Sequence, residues 1–410
     1  MTDLYWDPYD TVIDTDPYPI WKRLRDEAPV YRNERFDFWA LSRFEDIERA
    51  SRDTVTFSST HGTVLEMMGP GMVGSNQMIF MDPPEHTMYR SLVSRAFTPK
   101  RMSALDDYVR EVCIELLDEL EGRREFDYVQ DFAAQVPSRI ISKLVGVPES
   151  EREEQRVNID TMFHIDPEQG MVNDIAFLAR IRVHEYLMDL VQRHKTDPER
   201  FGDDMIKVLI GAEITDDDGT TRSLSDEELV QFTLLLYVAG TETVMRLLGN
   251  AAVVLAEHPD QRAELVADPS LIPAAVEELL RFEAPSPVNG RWTTREVEVA
   301  GVTIPKDSKV LLLTGSAGRD DREYADGDRF DIHRDIRKHV TFGYGIHFCL
   351  GASLARTEGR IALEETLKRY PTWGLDRSRI VRQHTSTVRG YGNVGIVVDD
   401  GARGGGRSGG

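Results

Sequence analysis

Residues 342–351 of this 410-residue chain read Phe342-Gly343-Tyr344-Gly345-Ile346-His347-Phe348-Cys349-Leu350-Gly351. Three glycines surround one cysteine, and a long helix is predicted to begin directly after it, over about 350–369. A thiolate at a helix N-terminus is stabilised by unpaired backbone N–H groups and the helix dipole, so a lowered thiol pKa is expected. Glycine lets backbone approach something large and flat, and Phe342 is placed to pack beside the sulfur. At this composition the pattern F-x-x-G-x-x-x-C-x-G arises by chance in roughly 4 of 10,000 such chains. A glycine-rich loop that merely buries a cysteine is therefore the weaker reading.

Working upstream, residues 225–258 form the most informative helix. Ser225 and Glu228 stand in capping-box spacing, and the helix runs about 50 Å at 1.5 Å per residue. Its middle is apolar on both flanks, which predicts a buried, central element. Yet that middle reads Ala239-Gly240-Thr241-Glu242-Thr243. A mid-helix glycine costs about 1 kcal/mol against alanine, and a buried acid needs a partner or water. Such a conflict between local preference and burial often marks a functional site.

Composition narrows the classes of function. With 49 Lys+Arg against 71 Asp+Glu the net charge is −22, which argues against nucleic-acid binding, because phosphate neutralisation needs a basic face. Two cysteines suit a reducing compartment and exclude a disulfide scaffold. The opening MTDLYWDPYD has neither the cationic nor the apolar region of a signal peptide. The most apolar helical stretch, around FTLLLYVAG, is read as far short of a membrane span. These features predict a soluble, cytoplasmic protein with no membrane contact.

The remaining chain reads as mainly helical with small β-elements. Helices are predicted over 17–27, 103–121, 171–195 and 271–282, the second placing Cys113 in its apolar stripe as a core residue. Short strands are predicted on either side of a turn at Asn33 and Glu34, in a hairpin turning at Ala300-Gly301, over the KVLLLT stretch, and near 393–398. Residues 54–82 read instead as a long loop, carrying Gly62, Gly69, Pro70, Gly71 and Gly74 with Met67, Met68, Met72, Met78 and Met81. A loop of that length is a lid, a binding loop or disordered. The terminal GARGGGRSGG, residues 401–410, reads as a disordered Gly/Arg-rich tail.

The cysteine loop resembles the haem-binding loop of the cytochrome P450 monooxygenases, and the resemblance extends over essentially the whole chain. It implies the cytochrome P450 fold, mainly α with small β-sheets, as a single domain over 1–400. It implies haem b as cofactor, with Cys349 as the proximal iron ligand and Phe342, Gly351, Ala239 and Gly240 against the haem. Thiolate ligation pushes electron density to iron and favours O–O cleavage.

Further marks follow in the family's order. Glu278 and Arg281 match its E-x-x-R pair, and Arg334 its third member, a structural ion network. His86 and Arg90 in HTMYR, Arg291, and His347 two before the cysteine match its propionate contacts, where two carboxylates need charge-assisted donors. Glu242 and Thr243 match its acid–alcohol pair, implying proton delivery by the acid and a water network held by the alcohol, with Gly240 leaving room for dioxygen. Departures are Gly318 where asparagine is expected, Glu rather than Asp in the acid position, and Val244 where many members carry a second threonine.

The implied reaction inserts one oxygen atom of O2 into an organic substrate and reduces the other to water. Electrons arrive from a ferredoxin and ferredoxin reductase, so NAD(P)H acts only indirectly. Between Arg334 and Arg369 seven basic residues face four acidic ones, a local +3 expected to form a docking face for an acidic ferredoxin. The resemblance places 54–82 and 160–185 over the distal haem face, and Met67, Met78, Leu235, Val288 and Asn289 are the expected pocket residues, for an apolar or aromatic small molecule. Two alternatives carry different sequence demands. A peroxide-driven haem-thiolate enzyme would not need the Glu242–Thr243 pair. A haem or gas sensor would need an output module that the chain does not offer.

Overall fold

The computed structural model describes residues 4–69, 77–94, 97, 102, 104–166, 170, 172–215 and 219–398. The expectations made for Pro70, Gly71, Met72, Gly74 and the tail 401–410 fall outside these residues. The longer helices are α1 (Tyr18–Glu27), α2 (Phe44–Arg52), α3 (Glu85–Ser94), α4 (Asp106–Glu119), α5 (Gln135–Val145), α6 (Arg152–Thr161), α7 (Asp174–Thr196), α8 (Asp226–Glu257), α9 (Pro259–Ala267), α10 (Ile272–Phe282) and α11 (Ala352–Arg369).

Helix α8 organises the rest. Its start is fixed by both halves of a capping box: Ser225 Oγ accepts from the Glu228 N–H at 3.3 Å, and Glu228 Oε2 accepts from the Ser225 N–H at 2.7 Å. Arg222 and Tyr89 also donate to that carboxylate. Along its 32 residues α8 packs against α5, α7 and α11, with buried side chains on every side of its C-terminal half. By length and apolarity this helix is enough to cross a membrane, which corrects the expectation that its apolar stretch falls far short. However, 78% of the apolar window is buried inside the fold, as the core helix of a globular domain requires.

A mixed five-stranded sheet stands beside the helical mass. Strands β1 (Val30–Asn33) and β2 (Phe38–Leu41) form the predicted hairpin, with the turn at 34–37. Strand β10 (Lys309–Leu312) runs parallel to β2, and β7 (Asn289–Thr293) and β3 (Phe57–Ser58) complete the order β1-β2-β10-β7-β3. A second sheet joins β11 (Gly374–His384), β12 (Arg389–Val397) and β4 (Glu125–Asp127). One apolar cluster fills the space between the helices and another covers the five-stranded sheet. Within 54–82, the described part is not a plain loop. It holds β3 and single 3-10 turns at Leu65–Met67 and Met78–Phe80, and Met68, Met78 and Met81 are buried against protein.

Candidate active site

The cysteine loop is shaped by two left-handed glycines. Gly343 has φ +71° and Gly345 φ +69°, and a Cβ at Gly345 would stand 2.6 Å from the Ser51 carbonyl oxygen of α2. The Cys349 N–H closes the loop by donating to the Phe342 carbonyl at 2.8 Å, and α11 begins three residues later. Without a metal, burial pushes the Cys349 thiol up, outweighing the Gly351 N–H, Arg90 and Arg356, which all favour the thiolate. For the free thiol dehydration is thus the larger effect, against the lowering expected from the helix N-terminus. Phe342 lies under the Arg356 guanidinium, 4.6 Å from its centroid, and a Cβ on Gly351 would meet nothing within 4 Å.

Beside this loop the fold gathers four basic groups with no carboxylate within ion-pair distance among the described residues. His86, on α3, is buried, and its Nε2 has no hydrogen-bond partner. Its ring lies 4.4 Å from that of His347, whose Nε2 meets Ser59 Oγ at 3.1 Å. Arg291, on β7, is buried and its Nη1 donates only to the Gly290 carbonyl, at 2.7 Å. Arg90, one turn after His86, donates to the Phe348 carbonyl at 2.7 Å. Burial, with Arg90 adding its charge, lowers the His86 pKa to about 4. Burial, then Arg291, His86 and Arg90, lowers that of His347 to about 2, and burial draws Arg291 down to about 10. With both imidazoles held neutral by these shifts, the charge of the cluster is that of buried Arg291 and half-buried Arg90, which no carboxylate among the described residues offsets and which an anion would balance. The two propionates of a haem set against Cys349 supply such an anion, so the residues present fit the group. Ser59, and Asp82 whose Oδ1 accepts the Ser59 N–H at 3.1 Å, support the cluster and carried no sequence signal.

The middle of α8 presents one uncovered stripe. Leu235 and Thr243 are half-buried and Ala239 between them is exposed, at i, i+4 and i+8. Thr243 Oγ1 donates to the Ala239 carbonyl at 3.1 Å. Gly240 faces elsewhere. A Cβ there would stand 2.8 Å from Ile141 of α5, so the glycine serves close helix packing, and the expectation that its missing side chain leaves room for dioxygen is corrected. Glu242 is buried and its Oε1 accepts from Arg246 Nε at 2.9 Å and from Arg246 Nη2. Burial raises the Glu242 pKa despite that guanidinium. Arg246 is a site residue that the sequence reading missed, although its i+4 spacing from an acid is a legible ion-pair signal.

Glu278, Arg281 and Arg334 are brought together. Arg281 forks onto both oxygens of Glu278 at 2.6 and 2.7 Å, and Arg334 Nε reaches Glu278 Oε1 at 3.4 Å. The remaining Arg281 N–H groups are taken by the carbonyls of Gly318, Gly327 and Arg329. Gly318, a departure in the sequence, has a physical reason: a Cβ there would lie 2.4 Å from the Arg281 carbonyl oxygen.

The pocket residues are spread over three elements. Met78 packs in the helical cluster, Val288 in the sheet cluster, Met67 and Leu235 are half-buried, and Asn289 is half-buried with no hydrogen bond to its side chain. Met68, not Met67, approaches β7, its sulfur lying 2.6 Å from where a Gly290 Cβ would stand. The local +3 between Arg334 and Arg369 is partly balanced by carboxylates of neighbouring elements. Every one of its seven cations has a carboxylate partner: Arg334 with Glu278, Arg337 with Asp335, Lys338 with Glu48, Arg356 with Glu277, Arg360 with Asp106, Lys368 with Glu365 and Arg369 with Asp118.

Comparison with known proteins agrees with this geometry. The family model described as cytochrome P450 matches residues 37–379. A relative named for cytochrome P450 123 in Mycobacterium tuberculosis is 39% identical over 399 residues, 97% of each chain. The vitamin D(3) 25-hydroxylase of Pseudonocardia autotrophica is 37% identical, covering 93% of this chain and 94% of its own. The structure of a mutant of P450 EryK in complex with erythromycin B superposes with a TM-score of 0.84 at 34% identity, over 96% of this chain and 98% of that one. The fold, the cysteine loop and these likenesses agree, and the chain belongs to the cytochrome P450 family of haem-dependent monooxygenases.

Proposed function

We propose that the chain inserts one atom of O2 into an apolar or aromatic small molecule, with Cys349 as the residue that would hold the iron of haem b. In this reading two electrons arrive singly from a soluble ferredoxin and its NAD(P)H-dependent reductase, in the cytoplasm. The observation that carries the substrate class is the uncovered stripe Leu235–Ala239–Thr243 on a helix otherwise buried. Two apolar positions leading to one hydroxyl favour an apolar body held against a polar reaction point. The names of the vitamin D(3) hydroxylase and of the erythromycin B complex belong to those proteins, and they support a bulky apolar substrate here.

When bound, the haem supplies oxygen activation and transfer. The chain's own residues do the rest. His86, Arg90, Arg291 and His347 would hold the propionates and so orient the ring. Arg246 engages only Oε1 of Glu242, so Oε2 is the atom that carries a proton toward the pocket. Thr243 Oγ1, with its proton directed to the Ala239 carbonyl, offers its lone pairs to water on the open side. Asn289 gives the substrate a polar handle beside Val288.

The test is the reduced, carbon-monoxide-bound absorption spectrum of the purified protein and of Cys349→Ala. A strongly red-shifted Soret band, lost in the variant, is expected; an ordinary haem band in the native protein would overturn the thiolate assignment. With that band in hand, Thr243→Ala should consume O2 while yielding several-fold less product per O2. Peroxide-supported turnover that outruns the ferredoxin route would instead make the enzyme peroxide-driven.

A further inference from the structure

We infer that Arg246 is a positioning residue that ties the proton-carrying acid Glu242 to strand β12, so that the orientation and titration of the acid depend on the β11–β12 hairpin. This rests on the reading of Glu242 as proton carrier. The two side chains lie one helical turn apart and both are about 97% buried. Arg246 Nε and Nη2 hold one oxygen of Glu242, while Nη1 donates to the Tyr391 carbonyl at 2.5 Å. The guanidinium is thus divided between an acid on α8 and backbone on β12.

The hairpin is shaped to receive it. A Cβ at Gly390 would stand 2.7 Å from Arg246 Cδ and 2.9 Å from its Cβ, so glycine admits the arginine stem. The same hairpin reaches the substrate side. At its tip, Thr387 Oγ1 donates to the carbonyl of Val288, next to Asn289. A continuous line of contacts therefore runs from Glu242 through Arg246 and β12 to the pocket wall. Among the described residues the charged groups acting on Glu242 are Arg246 and, from the end of α6, Asp160, which opposes ionisation. On the hairpin side Arg382, 4.5 Å over the Tyr391 ring, and Arg389 are the cations acting at Tyr391, with Glu283 and Glu257 the opposing acids. A buried ion pair contributes little net stability against an apolar replacement, so the role assigned to this one is orientation rather than folding.

The experiment uses the haem-loaded enzyme and the variants R246K, R246L and G390A. The carboxyl C=O band of Glu242, assigned by its loss in E242Q, is titrated by difference infrared spectroscopy. In R246L the midpoint should rise by about 1–3 pH units, as loss of an opposite charge at contact distance predicts. R246K should stay near wild type, and G390A, which displaces the arginine without removing it, should move in the direction of R246L. The pH profile of product formed per O2 consumed should follow the same order. Unchanged midpoint and profile in R246L and G390A would overturn the inference. If R246L does not fold, R246K and G390A decide it alone. The infrared midpoint is read without turnover. A native protein lacking the red-shifted Soret band would therefore fail the thiolate reading while the Arg246 coupling is still measured.

Discussion

Glu358 shows at residue scale how burial decides chemistry. It lies on α11, wholly buried, its Oε2 without a hydrogen-bond partner, and burial raises its pKa far above the carboxylate range. Burial therefore favours its neutral form. Because its folded pKa lies above the unfolded one, its cost is absent below about pH 4 and grows as pH rises toward the folded value. Glu358→Gln removes that cost. Denaturant unfolding should show the variant more stable than wild type at pH 8, on the order of 1 kcal/mol, and equal to it at pH 4. An equal gain at both values would mean that packing, not ionisation, sets the difference. Residues with several sequence-distant partners were the hardest to read. Cys349, His86 and Arg291 were legible because their motifs are local. Arg246 was half legible, since its i+4 spacing from Glu242 can be read but its bond to the Tyr391 carbonyl cannot; the unpartnered Oε2 of Glu358 likewise leaves no mark in sequence.

At the scale of elements, ion pairs cross between helices that the sequence does not place together. Glu277 of α10 accepts a fork from Arg356 of α11, at 2.6 and 2.9 Å, and a bond from His339 at 3.0 Å. Burial opposes its ionisation, but Arg356 and His339 outweigh it and draw its pKa down to about 2. A depressed carboxylate contributes stability above its unfolded pKa, and that contribution is lost as pH falls through the folded value. Arg356→Leu should thus cost on the order of 1–2 kcal/mol at pH 7, after screening at the partly exposed arginine. The gap from wild type should close between about pH 4.5 and 2, measured by urea midpoints across that range. A gap that does not change with pH would assign the loss to the stacking of Arg356 on Phe342 instead. Elements with a strong apolar period, such as α8 and α4, were legible from sequence to within a few residues. Strand β11 was missed because no residue of GLDRSRIVRQH is buried and the stretch carries almost no alternation.

The whole molecule is two apolar cores with a charged, anion-seeking cluster and a cysteine loop between them. A ligand that binds only the folded state stabilises it by mass action, about 4 kcal/mol at a thousandfold excess over its Kd. Protein produced without haem should melt well below the loaded enzyme by calorimetry, and adding haem should restore the higher transition; identical transitions would show that the cluster folds without its anion. The five-stranded sheet carries a different consequence, in time rather than in energy. Strand β2 pairs in parallel with β10, whose residues follow about 270 positions later. At a synthesis rate of about 5–20 residues per second, the first hairpin waits on the order of 15–50 s on the ribosome with one edge open. During that interval it is an exposed template for wrong strand pairing. A chain halted before residue 309 has nothing to close that edge, so nascent fragments of this protein should be clients of chaperones, whereas the finished chain is not.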